Sequence, residues 1–209
     1  RRKQAIRPRV LTDVNIDKSG PSRRRIVPAG LVLNARSLVK PDPSAALHLE
    51  LTNNNVDFCI ITETWLKPEI PSHLVCPNEF SIIRKDRKNR QGGGVALICR
   101  NDWKLERLYG FQNLYECLWA KISTPNSEYY VAAVYHPPSS EYLSGDFLDF
   151  LIDAVERLLS SIPNARLIIA GDVNQLDINC LLNQHSLAQI VKIPTRGVRT
   201  LDVFITNFP

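Results

Sequence analysis

The sequence predicts an α/β fold in which two mixed β-sheets pack face to face with helices on the outside. Three observations carry this expectation. Short, wholly apolar runs such as Phe58-Cys59-Ile60-Ile61 and Leu167-Ile168-Ile169-Ala170 lack polar alternation, so they read as strands covered on both faces. Other apolar runs come in pairs around turn-forming segments, the pattern of antiparallel neighbours. Segments of helical periodicity lie between the strands, so the two element types are interleaved rather than segregated.

In chain order, residues 26–33 read as a strand whose start is loosened by Pro28 and Gly30. Residues 43–54 place Ala46, Leu47, Leu49 and Leu51 in a helix-like pattern, stopped by Asn53-Asn54-Asn55. The buried strand at 58–61 follows. Residues 80–84 and 95–100 form a strand pair joined by a basic loop ending in Gly92-Gly93-Gly94. Residues 117–122 and 129–135 form a second pair around Thr124-Pro125-Asn126. Residues 147–159 give an amphipathic helix, with Phe147, Phe150, Leu151, Val155, Leu158 and Leu159 on one stripe. Another buried strand at 167–170 and a last one at 201–206 complete the set.

The 209 residues suit one large domain, and 44% hydrophobic with 22% charged residues is ordinary globular composition. No apolar run approaches the roughly eighteen residues of a membrane span, and no signal peptide opens the chain, so neither a membrane protein nor a secreted one is expected. The five cysteines, Cys59, Cys76, Cys99, Cys117 and Cys180, are odd in number and contain no CxxC pair, which points away from a disulfide framework or zinc ribbon and towards a reducing, intracellular compartment. No Met occurs anywhere, which suggests a piece of a longer reading frame.

Charge is uneven. Residues 1–25 hold nine Lys/Arg and two Asp, whereas the remainder holds 17 and 19. This arm reads as a disordered basic segment, either attracting phosphate or serving as a solvated linker. A second cluster, Arg84, Lys85, Arg87, Lys88 and Arg90, sits within the folded part at 26–209 and suits a grip on a nucleic-acid backbone, with an ordinary charged turn as the alternative.

Three buried strands end in polar groups able to do chemistry. Leu31-Val32-Leu33 leads into Asn34, the 58–61 run into Thr62-Glu63-Thr64, and the 167–170 run into Gly171-Asp172-Val173-Asn174. Side chains from distant positions converge where strands end. A carboxylate there loses hydration unless a cation or donor meets it. Carboxylate oxygens with an Asn amide, and no Cys/His cluster, suit a hard cation, Mg2+ or Mn2+, better than zinc. Singly, each is as well read as a turn former or helix cap; the coincidence of three carries the weight. The tryptophans Trp65, Trp103 and Trp119 read mainly as core.

These segments resemble the endonuclease/exonuclease/phosphatase superfamily, which includes deoxyribonuclease I and the apurinic/apyrimidinic endonucleases. Asn34 in Leu33-Asn34-Ala35-Arg36-Ser37-Leu38, Glu63 in Thr62-Glu63-Thr64-Trp65-Leu66 and the Gly171–Asn174 tetrapeptide carry the likeness. Val134-Tyr135-His136-Pro137-Pro138 and Pro194-Thr195-Arg196 with Thr200-Leu201-Asp202 follow in family order. Gln91-Gly92-Gly93-Gly94-Val95-Ala96-Leu97 is similar to endonuclease domains of non-LTR retrotransposons, particularly the jockey and chicken-repeat groups. The resemblance implies a four-layered, deoxyribonuclease I-like sandwich and Mg2+-dependent hydrolysis of DNA phosphodiesters. It further implies a nuclear site of action and continuity with a reverse transcriptase domain, the nick priming reverse transcription. Glu63 would be the principal metal ligand with Asn34 beside it. Asp172 would orient or deprotonate the attacking water, Asn174 would donate to phosphate oxygens, and Tyr135 would contact the scissile phosphate. Thr195 would contact the DNA backbone, and Asp202 would hold a histidine.

The family continues past this last Asp to a final strand bearing a Ser-Asp-His segment, which the sequence as given does not contain. None of His48, His73, His136 and His185 matches that histidine; His136 reads as a strand-end residue fixed by Pro137-Pro138. An inactive DNA-binding remnant therefore stands beside the nuclease reading, as does a phosphatase or RNA nuclease of the same superfamily.

Overall fold

The computed structural model describes Val10–Leu11 and residues 27–88 and 90–208. Its first sheet contains β1 (Val10–Leu11), β2 (Gly30–Asn34), β3 (Phe58–Thr62), β4 (Phe80–Lys85) and β5 (Val95–Arg100), in the order β1-β2-β3-β5-β4. The second contains β6 (Lys104–Arg107), β7 (Glu116–Ser123), β8 (Glu128–Tyr135), β9 (Arg166–Asp172), β10 (Ala188–Gln189) and β11 (Asp202–Thr206), in the order β10-β11-β9-β8-β7-β6. Helices α1 (Pro43–Asn53), α2 (Ser144–Ser161) and α3 (Asn179–Gln184) connect strands.

Both sheets are mixed. β2 pairs with β3 and β8 with β9 in parallel, and the other pairs are antiparallel. A parallel pair needs a crossover, and α1 and α2 provide the two. The continuous apolar runs are explained by coverage on both sides. In β2, Val32 joins the layer between the sheets, while Leu31 and Leu33 face Leu47 and Leu51 of α1. In β9, Ile168 and Ala170 face the other sheet, while Leu167 and Ile169 meet Phe147, Leu151 and Leu158 of α2. Phe58 and Phe204 bridge the middle layer with ring centroids 6.2 Å apart. The order is therefore helix, sheet, sheet, helix, the four layers expected.

Several boundaries move for identifiable reasons. The strand expected over 26–33 begins at Gly30, because Pro28 has no N–H and the Ala29 N–H donates to the Asp57 carboxylate at 2.9 Å. The last strand, expected from Leu201, starts at Asp202, where its pairing with Asp172 of β9 begins. In α1, Leu47 and Leu51 are buried but Leu49 is exposed. In α2, Phe150 and Leu159 flank the buried stripe and Ala154 joins it. Apart from Val10–Leu11, which pair with Val32 and Leu31, the basic arm at 1–25 lies outside the described residues. No helix among the described residues is long and apolar enough to cross a membrane.

Candidate active site where the two sheets meet

Asn34 is the last residue of β2, Glu63 follows β3, and Tyr135 and Asp172 end β8 and β9. Parallel pairing places Asn34 beside Thr62 and Tyr135 beside Asp172, so the ends of both crossover units lie at one edge of the sandwich. There a cleft of about 250 Å³ is lined by Asn34, Arg36, Glu63 and Trp65 from the first sheet's side and by Tyr135, Pro138, Asp172, Asn174 and Arg196 from the second's. Five of the six residues assigned catalytic roles from the sequence thus share one cavity. The sixth, Asp202, is fully buried in register with Asp172 and does not reach the cleft wall.

The closest contacts cross between the sheets. Asn34 Nδ2 donates to Asp172 Oδ2 at 2.9 Å, and the Tyr135 hydroxyl donates to Glu63 Oε1. The second Glu63 oxygen accepts from Trp65 Nε1 at 2.7 Å, and Asp172 Oδ1 accepts the Asn174 N–H at 3.1 Å. Burial, the bond to Glu63, and the charges of Glu63 and Asp172 hold the Tyr135 phenol far above its ordinary pKa, with Arg87 acting the other way. The shift favours the neutral phenol, which donates to Glu63.

Glu63 and Trp65 both have left-handed backbone, with φ of 56° and 57°. Non-glycine residues adopt that conformation only when the surroundings enforce it, and such strain gathers at working sites. The enforcing bonds are visible: Ser37 N–H donates to Glu63 O and Leu38 N–H to Thr64 O, both at 2.8 Å, while Trp65 N–H donates to Gly93 O at 2.9 Å. Thr64-Trp65 is therefore pinned between the β2 end and the glycine loop.

That loop explains its own composition. Arg87 runs beneath Gly93, where a Cβ would lie 2.2 Å from its guanidinium carbon, and Gly93 itself has φ of 65°. Glu116 accepts from Arg87 Nε at 2.8 Å, from Arg87 Nη2 and from the Gly94 N–H. Arg87 also lies over the Tyr135 ring, 5.8 Å from its centroid. Glu116, Arg87, Tyr135 and Glu63 form one contiguous chain of contacts.

The basic cluster consequently divides. Arg84 is spent on Lys67 O and Asp86, and Lys85 Nζ on Asn113 and the Cys117 carbonyl, where burial lowers its pKa. Together with Arg87 these heads point into the protein, because backbone carbonyls and Glu116 offer them partners there. Of the five basic residues expected to grip a nucleic-acid backbone, the other two, Lys88 and Arg90, are exposed, the latter tied to Ser139 O at 2.8 Å and reaching Glu141 at 3.6 Å.

Thr195 accepts at Oγ1 from the N–H groups of Leu201 and Asp202, so it fixes the approach to β11; its hydroxyl hydrogen is not used in these bonds. Asn174 Nδ2 donates to His136 O at 2.8 Å. His136 itself turns away, with Nδ1 at 3.2 Å from the Tyr142 hydroxyl, Nε2 at 3.1 Å from Ser144 Oγ, and its ring stacked on Phe147. Burial lowers its pKa. Three cleft residues were missed from the sequence: Trp65, read as core, and Arg36 and Arg196. Their signal was proximity to Glu63, Asn34 and Thr195.

Among the described residues no group of three His, Cys, Asp or Glu side chains is arranged to hold a metal ion. The donor set at the cleft is leaner. Asn34 Oδ1 is buried with no hydrogen-bond partner among the described residues, an acceptor left open in the cleft that Glu63 also lines. One carboxylate and one amide oxygen fit a hard cation that keeps most of its water.

Among solved structures, the chain superposes on the endonuclease domain of TRAS1, a telomere-specific non-LTR retrotransposon, with a TM-score of 0.62 at 17% identity, over 85% of this chain and 84% of that one. The AP endonuclease LMAP from Leishmania major gives 0.64 at 14% identity, over 85% and 78%. An endonuclease/exonuclease/phosphatase from Bacteroides vulgatus gives 0.55 at 11% identity, over 79% and 78%. The fold is therefore the deoxyribonuclease I-like sandwich of those proteins. No family model matches the sequence, and no curated protein matches it.

Proposed function

We propose that this chain is a metal-dependent endonuclease that hydrolyses DNA phosphodiesters, nicking a target for retrotransposition in a protein that also carries a reverse transcriptase. The observation that supports it most is the convergence of Asn34, Glu63, Tyr135, Asp172 and Asn174, from both sheets, on one small cleft. Similarity in fold to the TRAS1 endonuclease domain and to an AP endonuclease favours the same reading.

Glu63 and Asn34 would hold Mg2+, with Mn2+ as a substitute, and the bound ion would supply Lewis acidity towards the phosphate and the leaving oxygen. The chain's own residues do the rest. Asp172, buried and held by Asn34 and the Asn174 N–H, orients a water for in-line attack and accepts its proton. Tyr135, kept protonated, turns its hydroxyl to a phosphate oxygen where negative charge grows. Asn174 presents its remaining amide hydrogen to the same group. Lys88, Arg90 and the Thr195 hydroxyl meet the flanking backbone, a salt-sensitive attraction without sequence preference.

The inward use of Arg84, Lys85 and Arg87 favours a second reading, in which a shorter substrate such as RNA or a small phosphate ester occupies the cleft. The deciding experiment is nicking of supercoiled plasmid with Mg2+ and with EDTA, beside Glu63→Ala, with RNA and small phosphate esters as parallel substrates. Metal-dependent nicking absent from Glu63→Ala supports the proposal. Binding of plasmid in EDTA without cleavage under any metal selects an inactive DNA-binding domain, and turnover confined to RNA or small esters selects the second reading.

A further inference from the structure

Arg196 has no part in the roles assigned above, yet it lines the cleft. It sits in a tight hairpin whose backbone is fixed: the N–H groups of Thr195 and Arg196 both donate to Arg199 O at 3.0 Å, and Arg199 N–H donates back to Arg196 O at 3.1 Å. Gly197, with φ of 61°, makes the reversal possible. The hairpin therefore presents Arg196 at a set position on the second sheet's side of the cavity.

Its guanidinium is incompletely used. Nη2 stands 3.6 Å from Asp172 Oδ2, too long for a charge-assisted hydrogen bond, which closes at about 2.7–2.9 Å. Nε is enclosed and has no hydrogen-bond partner among the described residues. Asp172 is already held by the Asn34 amide and the Asn174 N–H, so its carboxylate stays in place without Arg196. A guanidinium has five donors in a planar fork suited to two oxygens of a phosphate. Arg36, at the end of β2, brings a second cation to the same cavity from the other sheet.

We propose that Arg196 is a further phosphodiester-binding residue of this cleft, exchanging its long contact with Asp172 for paired hydrogen bonds to the non-bridging oxygens of a phosphodiester monoanion. Before substrate arrives, Arg196 lies against the carboxylate that orients water. A phosphodiester draws the guanidinium away and leaves Asp172 facing the reacting phosphorus. No bond is made or broken in this exchange. It deepens the nuclease reading and rests on it for the role of Asp172.

The test follows arginine Nε–H signals in nitrogen-15 edited NMR spectra of the whole chain, in metal-free buffer. The probes are thymidylyl-thymidine, which carries a single phosphodiester, and its uncharged methylphosphonate analogue. The Arg196 signal is expected to shift with the diester and not with the analogue. Arg196→Gln should weaken diester binding about tenfold or more, as loss of a charged hydrogen-bond partner does, and erase the preference over the analogue. Arg196→Lys should restore the preference in part, keeping the charge without the fork. Plasmid nicking by the wild type is measured alongside. Nicking present while Arg196→Gln keeps its full diester preference overturns the inference and leaves the nuclease reading standing. A diester preference lost in Arg196→Gln, with no nicking under any metal, supports the phosphodiester subsite and overturns the nuclease reading. A wild type that does not prefer the diester overturns the inference outright.

Discussion

The Glu116 carboxylate bonds to no group assigned to chemistry, although its backbone pairs with that of Tyr135, and its replacement should disturb both stability and the cleft. Its two oxygens take three donors: Arg87 Nε, Arg87 Nη2 and the Gly94 N–H. The side chains of the pair are each 14% exposed, so the interaction is shielded from solvent. Glu116→Ala removes both carboxylate oxygens and leaves the guanidinium beneath the glycine loop with only the Gln91 carbonyl, at 3.4 Å, a change that costs about 3–5 kcal/mol when a buried pair loses one member. Glu116→Gln keeps one acceptor oxygen and loses the charge, so about 2 kcal/mol is expected. With a shift of about 2–4 °C per kcal/mol for a chain of this size, the alanine variant should melt on the order of 10 °C lower. Arg87→Met combined with Glu116→Gln removes both charges and should be less destabilised than the two single variants added together, a coupling above about 1 kcal/mol. Urea titrations of the four proteins supply the cycle. An alanine variant within about 1 kcal/mol of wild type, or single changes that simply add, would refute the argument that this pair holds the loop.

Three other outcomes are expected. Gly171→Ala places a Cβ 1.8 Å from the Val134 carbonyl oxygen at a φ of 147°, so β9 must leave β8; the variant should be insoluble or strongly destabilised, read from soluble yield and thermal melting. Tyr135→Phe keeps the ring under Arg87 and deletes one hydroxyl, so stability should change by only about 1 kcal/mol, while plasmid nicking should fall about a hundredfold or more; an unchanged rate removes Tyr135 from the chemistry. His136 has its pKa lowered by burial, so the unfolded chain takes up a proton more readily than the folded one. Its share of stability is present above about pH 6.5 and is lost as pH falls below that value. The urea midpoint should accordingly drop less between pH 7.5 and about 5 in His136→Gln than in wild type, and parallel curves would exclude the histidine as a cause.

The legible parts of this protein are those where one residue's chemistry is set by its immediate neighbours. Asn34, Glu63 and Asp172 could be found because each ends or follows an all-apolar run, where a polar group has few reasons to be. The same runs disclosed the four layers, since both faces of β3 and β9 are covered. The short elements β6, β10 and α3 could not be read, for they are only four, two and six residues long, too short to show a period of their own. The directions in which the basic side chains point could not be read either. Charge density along the chain does not reveal direction, and the partners that draw Lys85 and Arg87 inward, Asn113 and Glu116, lie 28 and 29 residues away. Trp65 was read as core because its partner is a carboxylate two residues earlier, a contact made only when both residues take left-handed backbone.

The two parallel pairs have a mechanical consequence. Each sheet contributes one strand–helix–strand unit, β2-α1-β3 and β8-α2-β9, and each unit ends in half of the cleft. Asn34 with Asp172 and Tyr135 with Glu63 are joints across a seam between two bodies rather than features of either one. A slip of one sheet over the other by an ångström would leave nearly all of the apolar contact intact while parting both joints. Such a site works as a gauge of how squarely its halves are docked.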